Sequence, residues 1–153
     1  MRKNIIPEND KKQSHGLWKM YHSNGQLMYT GNYVNGDRHG YWESYYRNGK
    51  LSYKGNYDNG KQHGYWEEYH STGQLHFKGN YVYEIRDGYW EDYYSDGQLD
   101  CKGHYVKGMR HGYWESYYNS SGHVCYKGYY DMGKEVEYDV NVDTPSKEMF
   151  PIY

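Results

Sequence analysis

The chain has 153 residues and a formal net charge of −2, so no positive excess draws it toward nucleic acid or an anionic membrane. It contains 24 Tyr, 5 Trp and 19 Gly but only 3 Pro, a composition typical of all-β proteins. No apolar run is long enough for a transmembrane helix, and no apolar stretch follows the basic N-terminus as in a secretory signal. With only 2 Cys we expect no disulfide framework and a cytoplasmic, reducing location.

A cassette of 24 residues occurs five times along the chain. Its opening reads His15-Gly16-Leu17-Trp18, and the later copies, which we number cassettes 2 to 5, open at His39, His63, Asp87 and His111. A fixed period of this length is the sequence mark of a solenoid. We therefore predict an all-β, single-layer repeat solenoid of five antiparallel hairpins. Such a stack presents a long surface and has no crevice between domains.

The second cassette defines the predicted hairpin. Asn48-Gly49 lies between two aromatic-rich runs and predicts a two-residue type I′ turn. That turn places Tyr46 opposite Leu51, Glu43 opposite Lys54 as an ion pair, and Trp42 opposite Gly55, where the missing side chain makes room for the indole. Cassettes 3 and 4 repeat the last two pairings, as Glu67 with Lys78, Glu91 with Lys102, Trp66 with Gly79 and Trp90 with Gly103. The connection to the next hairpin, residues 58–64, is predicted to be a glycine-rich loop.

The predicted register assigns the side chains to two faces. One face is apolar and is predicted to be buried; in cassette 2 it carries Trp42, Tyr46, Leu51, Tyr53 and Tyr57. The other face is amphipathic and free to bind, and it carries Tyr41, Glu43, Tyr45, Ser52 and Lys54. Exposed ion pairs contribute about 0–1 kcal/mol each, so the apolar face must stabilise the fold.

These motifs resemble the MORN repeat, in the variant common in bacterial proteins labelled YwqK-family antitoxins. The resemblance rests on the Gly-Tyr-Trp opening, the central turn glycine and the return strand Lys54-Gly55-Asn56-Tyr57 with its copies, over about residues 15 to 133. It implies stacked antiparallel hairpins that act as binding or scaffolding modules, with lipid binding proposed for some. The family has no catalytic residue to carry over, so we expect no enzyme and no cofactor.

The resemblance and the period divide the chain into three parts. Residues 1–14 are expected to be a mobile polar leader, and residues 15–133 are the five hairpin repeats. Residues 134–153 are expected to form a capping strand, in which Val136, Tyr138, Val140 and Val142 alternate with polar residues, and an apolar tail, Met149 to Tyr153. Fold-back of this tail on the repeats and docking on a partner are both open.

Two departures from the period lie within the repeats. Residues 82–87 read Val-Tyr-Glu-Ile-Arg-Asp, with Tyr83-Glu84 in place of the expected Asn-Gly, and Tyr and Arg are favoured interface anchors. Neutral drift in a tolerant loop is the alternative explanation. The fifth hairpin carries one extra residue, so Trp114 is expected to oppose Gly128 through a longer turn or bulge.

The repeated histidines do not predict a metal site. His15, His39, His63 and His111 recur at equivalent positions, about 10 Å apart, whereas the ligands of one zinc ion lie about 2.1 Å from it. We expect each to hydrogen-bond to backbone. Cys101 and Cys125 are predicted to point to opposite faces, so neither a bridge nor a metal pair is expected.

The favoured function is protein binding by the tyrosine-rich surface. The predicted contact residues are Tyr41, Tyr45, Tyr65, Tyr69, Tyr83, Arg86, Tyr89 and Tyr93. The antitoxin label implies neutralisation of a toxic protein, and an inhibitor of a host enzyme would be built in the same way. Carbohydrate binding, as in cell-wall-binding repeats, and lipid binding are the alternatives; the net charge disfavours lipid and nucleic acid. The open sheet edges also allow an end-to-end homodimer.

Overall fold

The structure is a computed structural model that describes residues 3–137. These residues form one open antiparallel sheet in which strands adjacent in sequence are adjacent in space. The strands are β1 (Gly16–Tyr21), β2 (Leu27–Val34), β3 (Asp37–Tyr45), β4 (Leu51–Asp58), β5 (Lys61–Tyr69), β6 (Leu75–Val82), β7 (Ile85–Tyr93), β8 (Leu99–Val106), β9 (Met109–Tyr117), β10 (Val124–Asp131) and β11 (Lys134–Val136). The predicted all-β repeat fold is confirmed. Within the described range, no helix has the length and apolarity needed to span a membrane.

The central turn of each hairpin differs from the predicted type I′ turn. In cassette 2 the amide of Gly49 donates to the carbonyl of Tyr46 at 2.9 Å, and the amide of Tyr46 donates to Lys50 at 2.8 Å. Gly49 has a φ of 83°, whereas Asn48 is not among the residues with positive φ. Arg47 and Asn48 are therefore the centre of a type I turn, and Gly49 forms the G1 bulge that follows it.

The predicted register holds along the strands and fails beside the turn. Trp42 pairs with Gly55 and Glu43 pairs with Lys54, as predicted. Leu51, however, pairs with Tyr45 and not with Tyr46, because the register shifts between Ser44 and Tyr45. The error comes from the wrong turn type, since a three-residue loop offsets the first pair by one residue.

The turns that connect one cassette to the next are of type I′. In place of the predicted loop over residues 58–64, β4 and β5 are joined by Asn59 and Gly60, with φ of 48° and 80°. Asp58 pairs directly with Lys61 across this turn. Both kinds of connection are thus tight, and the five hairpins form one continuous meander.

The face that carries the tryptophans, which we call the tryptophan face, locks consecutive cassettes together. A Cβ atom at Gly31 would lie 2.1 Å from Cδ2 of Trp42, and one at Gly55 would lie 2.5 Å from Cδ2 of Trp66. The sequence predicts that Gly55 makes room for Trp42, within one cassette, and this is wrong. Each indole from cassette 2 to cassette 5 covers the glycine of the preceding cassette, so the packing joins neighbouring hairpins.

The core of this single-layer sheet consists of tryptophans covered by other side chains. Trp42, Trp66, Trp90 and Trp114 are at most 1% exposed. Tyr33 and Tyr57 meet the Trp42 ring edge-on, at centroid distances of 4.9 and 6.0 Å. The Arg38 guanidinium lies 4.6 Å from the centroid of the same ring. Because truncation of a buried Trp costs about 3–5 kcal/mol, these four rings dominate the stability of the sheet.

The described part of the N-terminal segment packs on the first cassette. Ile5 and Lys19 exchange backbone hydrogen bonds of 2.8 and 3.1 Å. The indole of Trp18 donates to the carbonyl of Pro7 at 3.1 Å, as that of Trp42 donates to Asn32 at 3.0 Å. The Pro7 carbonyl thus supplies the acceptor that the preceding strand supplies in every later cassette. These contacts of Ile5 and Pro7 were not predicted from the sequence, which suggested a mobile leader.

The fifth hairpin tolerates its extra residue without a change of register at the tryptophan. Trp114 pairs with Gly128, as predicted. The turn is closed by the Gly122 amide, which donates to Tyr118 at 2.8 Å. β11 then pairs with β10, Val136 lying opposite Tyr129. The rest of the predicted capping strand and the tail, from Tyr138 onward, lie outside the described residues.

Candidate functional site

The surface opposite the tryptophans carries a repeated Tyr-Glu-Tyr arrangement. Alternate residues of a strand share a face, so the side chains at Tyr41, Glu43 and Tyr45 lie together on β3. The same triplet recurs on β5, β7 and β9 as Tyr65-Glu67-Tyr69, Tyr89-Glu91-Tyr93 and Tyr113-Glu115-Tyr117. We call this surface the tyrosine face. The first tyrosine of each triplet is the more exposed, from 50% at Tyr41 to 38% at Tyr113.

In three of the triplets the glutamate accepts hydrogen bonds from both tyrosine hydroxyl groups, and in the triplet on β7 Glu91 accepts one from Tyr93 at 2.5 Å. Glu43 accepts from Tyr41 at 3.1 Å and from Tyr45 at 2.7 Å. Glu115 accepts from Tyr113 at 2.8 Å and from Tyr117 at 2.5 Å. The tyrosine rings are thereby held in defined positions while their exposed sides stay open to solvent.

Lysines complete three of the four triplets, and they come from the preceding cassette. Lys54 Nζ lies 2.8 Å from Glu67 Oε2, Lys78 lies 2.6 Å from Glu91, and Lys102 lies 3.1 Å from Glu115. The sequence predicts ion pairs of Glu43 with Lys54, of Glu67 with Lys78 and of Glu91 with Lys102, and these ion pairs are wrong although the predicted strand register is right. Each lysine has a glutamate on both neighbouring strands and bonds to the one on the next cassette. In the fifth cassette the additional Lys127 lies 3.7 Å from Glu115.

The bonding lowers the pKa values of Glu67, Glu91 and Glu115 and raises those of the tyrosines in the triplets. Hydrogen bonds from Tyr117, Lys102 and Tyr113 lower the pKa of Glu115 to about 2. At Glu67, burial alone would raise the pKa, but the bonds from Lys54 and Tyr69 outweigh it and lower the pKa. Burial and the bond to Glu43 raise the pKa of Tyr45 to about 12. Neither kind of group is therefore poised to exchange protons near pH 7, as a general acid or base must be.

The structure brings together six of the eight predicted contact residues. Tyr41, Tyr45, Tyr65, Tyr69, Tyr89 and Tyr93 all lie on the tyrosine face. Arg86 does not lie with them, since its guanidinium covers Trp90 at 4.2 Å on the tryptophan face. It also forms a two-pronged pair with Asp92, at 3.2 and 3.3 Å. Its present contacts are those of a core residue.

Tyr83, the eighth predicted contact residue, occupies an unusual turn. Tyr83 and Glu84 have φ of 49° and 71°, which makes this a type I′ turn without glycine or asparagine. The ring of Tyr83 packs on His63 at 4.7 Å, and its hydroxyl donates to Asp58 at 3.1 Å. Tyr83 is 48% exposed, and Ile85 beside it is 49% exposed. The departure from the period at residues 82–87 thus adds exposed apolar surface at the turn between β6 and β7.

The histidines and cysteines have separate surroundings. His39 lies 3.7 Å from Asp58 and His111 lies 3.5 Å from Asp131, whereas His15 accepts a 3.4 Å bond from the amide of Asn35. Cys101 is buried and Cys125 is exposed, and both thiols are free. Across residues 3–137, no group of three His, Cys, Asp or Glu side chains could hold a metal ion.

Two features of the surface were not predicted from the sequence. Arg38 and Arg110 lie over Trp42 and Trp114 as Arg86 lies over Trp90, at 4.6 and 4.3 Å. Thr30, in the first cassette, occupies the position that lysine takes in the other return strands, opposite Glu43. Alignment of the five cassettes reveals both features. An arginine directly precedes the opening residue of three cassettes, and the return strand of the first cassette carries threonine where the others carry lysine.

Comparison with known families agrees with the repeat. The family described as MORN repeat variant matches residues 14–35, 38–59, 62–83 and 86–107, which together make up more than half of the chain. The matched segments begin at intervals of 24 residues and cover the first four cassettes. No curated protein sequence matches the chain significantly.

Proposed function

Because the chain belongs to the MORN repeat variant family, whose repeats generally bind or scaffold, we propose that it binds another protein through its tyrosine face. The observation that carries the proposal is the column of exposed tyrosines, which are 50%, 48%, 43% and 38% exposed at Tyr41, Tyr65, Tyr89 and Tyr113. Paired strands lie about 4.8 Å apart, so successive tyrosines lie about 10 Å apart and the column spans about 30 Å.

The rigidity of the column supports this use. A tyrosine offers a large contact area and has few torsions to immobilise on binding. Here the bonds to Glu43, Glu67 and Glu115 already hold the rings, which reduces the entropy lost when a partner binds.

The charges of the tyrosine face support a protein ligand over a polyanion. Lys54, Lys78 and Lys102 are each neutralised by a glutamate. A phosphate backbone or an anionic bilayer would require lysines that are free to bind it. The proposed role is binding without catalysis. Capture of a toxic protein, which the resemblance to antitoxin-labelled proteins suggests, is one form of such binding.

Affinity capture from the native host tests the proposal. The bait is the whole chain, and the comparison is the Tyr65→Ala/Tyr89→Ala double variant, with Tyr118→Ala as the control. Tyr118 is 59% exposed but lies in the fifth central turn, away from the column. We expect wild type and the control to recover the same protein, and the double variant to lose it. Recovery of no protein, together with saturable binding to a glycan or to liposomes, would overturn the proposal.

A further inference from the structure

Glu43 differs from the equivalent glutamates in the cations around it. Glu67, Glu91 and Glu115 each bind a lysine of the preceding cassette at 2.6–3.1 Å. The residue at that position opposite Glu43 is Thr30. Within residues 3–137, Glu43 makes no ion pair.

Neighbouring lysines do not fill this position. Lys54, on the other side of Glu43, directs its Nζ to Glu67 at 2.8 Å. Lys19 pairs with Thr30, one strand further from Glu43. The carboxylate therefore keeps its two tyrosine bonds and lacks the third, cationic partner that the other glutamates have.

The filled positions show which ligand this arrangement accepts. In each of them a primary ammonium group meets one carboxylate oxygen beside the second tyrosine of the triplet. Lys78 Nζ also lies 5.9 Å from the centroid of Tyr93, and Lys102 Nζ lies 5.7 Å from that of Tyr117. An ammonium group over an aromatic ring is attracted by the ring's electron density, in addition to the carboxylate.

We propose that the position between Glu43 and Thr30 receives a lysine side chain of the protein partner. The inference rests on the proposed function, because the tyrosine face presents Glu43 between Tyr41 and Tyr45. A carboxylate offers about four acceptor positions, and the two tyrosine hydroxyls leave room for a further donor. Thr30 has a shorter side chain than the lysines at the equivalent positions and carries no charge.

A small lysine analogue tests the site apart from the partner. The probe is Nα-acetyl-lysine methylamide, titrated into the whole chain while the NMR shifts of the Glu43 and Glu67 side-chain carboxyl carbons are followed. Because an exposed ion pair is weak, we expect the Glu43 signal to move progressively with the probe concentration while the Glu67 signal stays in place. The uncharged norleucine analogue should move neither signal.

Two reciprocal variants make the test specific. Thr30→Lys supplies the missing cation from within the chain and should abolish the response of Glu43. Lys54→Thr recreates the same vacancy beside Glu67 and should make the Glu67 signal respond. Both substitutions copy a residue that another cassette already carries at that position, so the fold should persist.

The outcomes separate this inference from the proposed function. A Glu43 signal that ignores the probe, follows the norleucine analogue equally, or still responds in Thr30→Lys would overturn the lysine site. Such a result would not affect the proposed function, which depends on the capture of a partner by the wild type and on its loss in the Tyr65→Ala/Tyr89→Ala variant. If a partner is captured, Thr30→Lys should weaken its binding, whereas the control Tyr118→Ala, outside the column of tyrosines, should not. Equal binding by both variants would contradict the assignment of a partner lysine to Glu43.

Discussion

Gly79 lies beneath the indole of Trp90, so that a Cβ atom at Gly79 would come within 2.3 Å of Cδ2 of that ring. Trp90 is fully buried there, and its Nε1 donates to the carbonyl of Asn80 at 3.1 Å. The glycine belongs to one cassette and the tryptophan to the next. This contact, repeated along the sheet, is what makes the repeats cooperative, because no cassette completes its core alone.

The first prediction concerns that contact. Gly79→Ala should destabilise the protein by about 1–3 kcal/mol or more, because the added methyl group displaces a buried ring. The matched control is Gly128→Ala, where the new Cβ would meet mainly the hydroxyl end of Tyr126, a side chain that can move. Urea unfolding of both variants measures the difference. Equal losses would show that the indole does not depend on the glycine beneath it.

The second prediction concerns the turn at Tyr83 and Glu84. A left-handed conformation costs a residue with a side chain about 1 kcal/mol more than it costs glycine. Glu84→Gly should therefore stabilise the protein by up to about 1 kcal/mol. The reverse substitution, Gly36→Glu, should destabilise it, since Gly36 has a φ of 98° in the equivalent turn and open space around it. A loss of stability in Glu84→Gly, measured by thermal unfolding, would mean that the Glu84 side chain contributes more than its strain costs.

The third prediction concerns acid stability. The folded state lowers the pKa of Glu115 from 4.5 to about 2, because Tyr117, Lys102 and Tyr113 bind its ionised form. A lowered folded pKa gives stability that is complete above pH 4.5 and is lost as the pH falls toward 2. Glu115→Gln should therefore reduce the pH dependence of the unfolding free energy in this window. An unaltered slope in Glu115→Gln would contradict the bonding described for the tyrosine face.

The fourth prediction concerns the two thiols. Burial, followed by the nearby Asp92 charge, raises the pKa of Cys101 to about 12, and Cys125 is exposed. Since the thiolate is the reactive form, a thiol reagent at pH 8 should modify Cys125 and spare Cys101 in the folded protein. Mass spectrometry of the labelled protein locates the modification, and both residues should react in denaturant. Rapid labelling of Cys101 without denaturant would show that cassette 4 opens locally.

Much of the fold is predictable from the sequence because the period determines it. The 24-residue repeat, the two faces and the pairs Trp42–Gly55 and Glu43–Lys54 follow from the positions of Trp, Gly and the turn residues. The turn types do not follow as easily. Asn-Gly occurs at both Asn48-Gly49 and Asn59-Gly60, and the same dipeptide forms a type I turn with a G1 bulge at the first and a type I′ turn at the second.

The direction of the contacts between cassettes was the part that pairing alone could not predict. Gly55 lies across from both Trp42 and Trp66, and Lys54 lies across from both Glu43 and Glu67. Which neighbour a side chain contacts depends on how it leans along and across the strands, and this is not encoded in the pairing. Arg86 is a different case, because it was assigned to the binding surface as part of an unusual loop, whereas alternation along β7 places it on the same face as Trp90.

The most direct test of the account is the affinity of a captured partner for variants of the tyrosine face. Titration calorimetry would compare wild type with Tyr65→Ala, Tyr89→Ala and the control Tyr118→Ala. Interface tyrosines that anchor binding contribute about 2 kcal/mol or more, so each of the first two substitutions should weaken binding by about thirtyfold or more. The control should bind within about twofold of wild type. Unchanged affinity in Tyr65→Ala and Tyr89→Ala, with both variants folded, would contradict the assignment of the binding site to the tyrosine face.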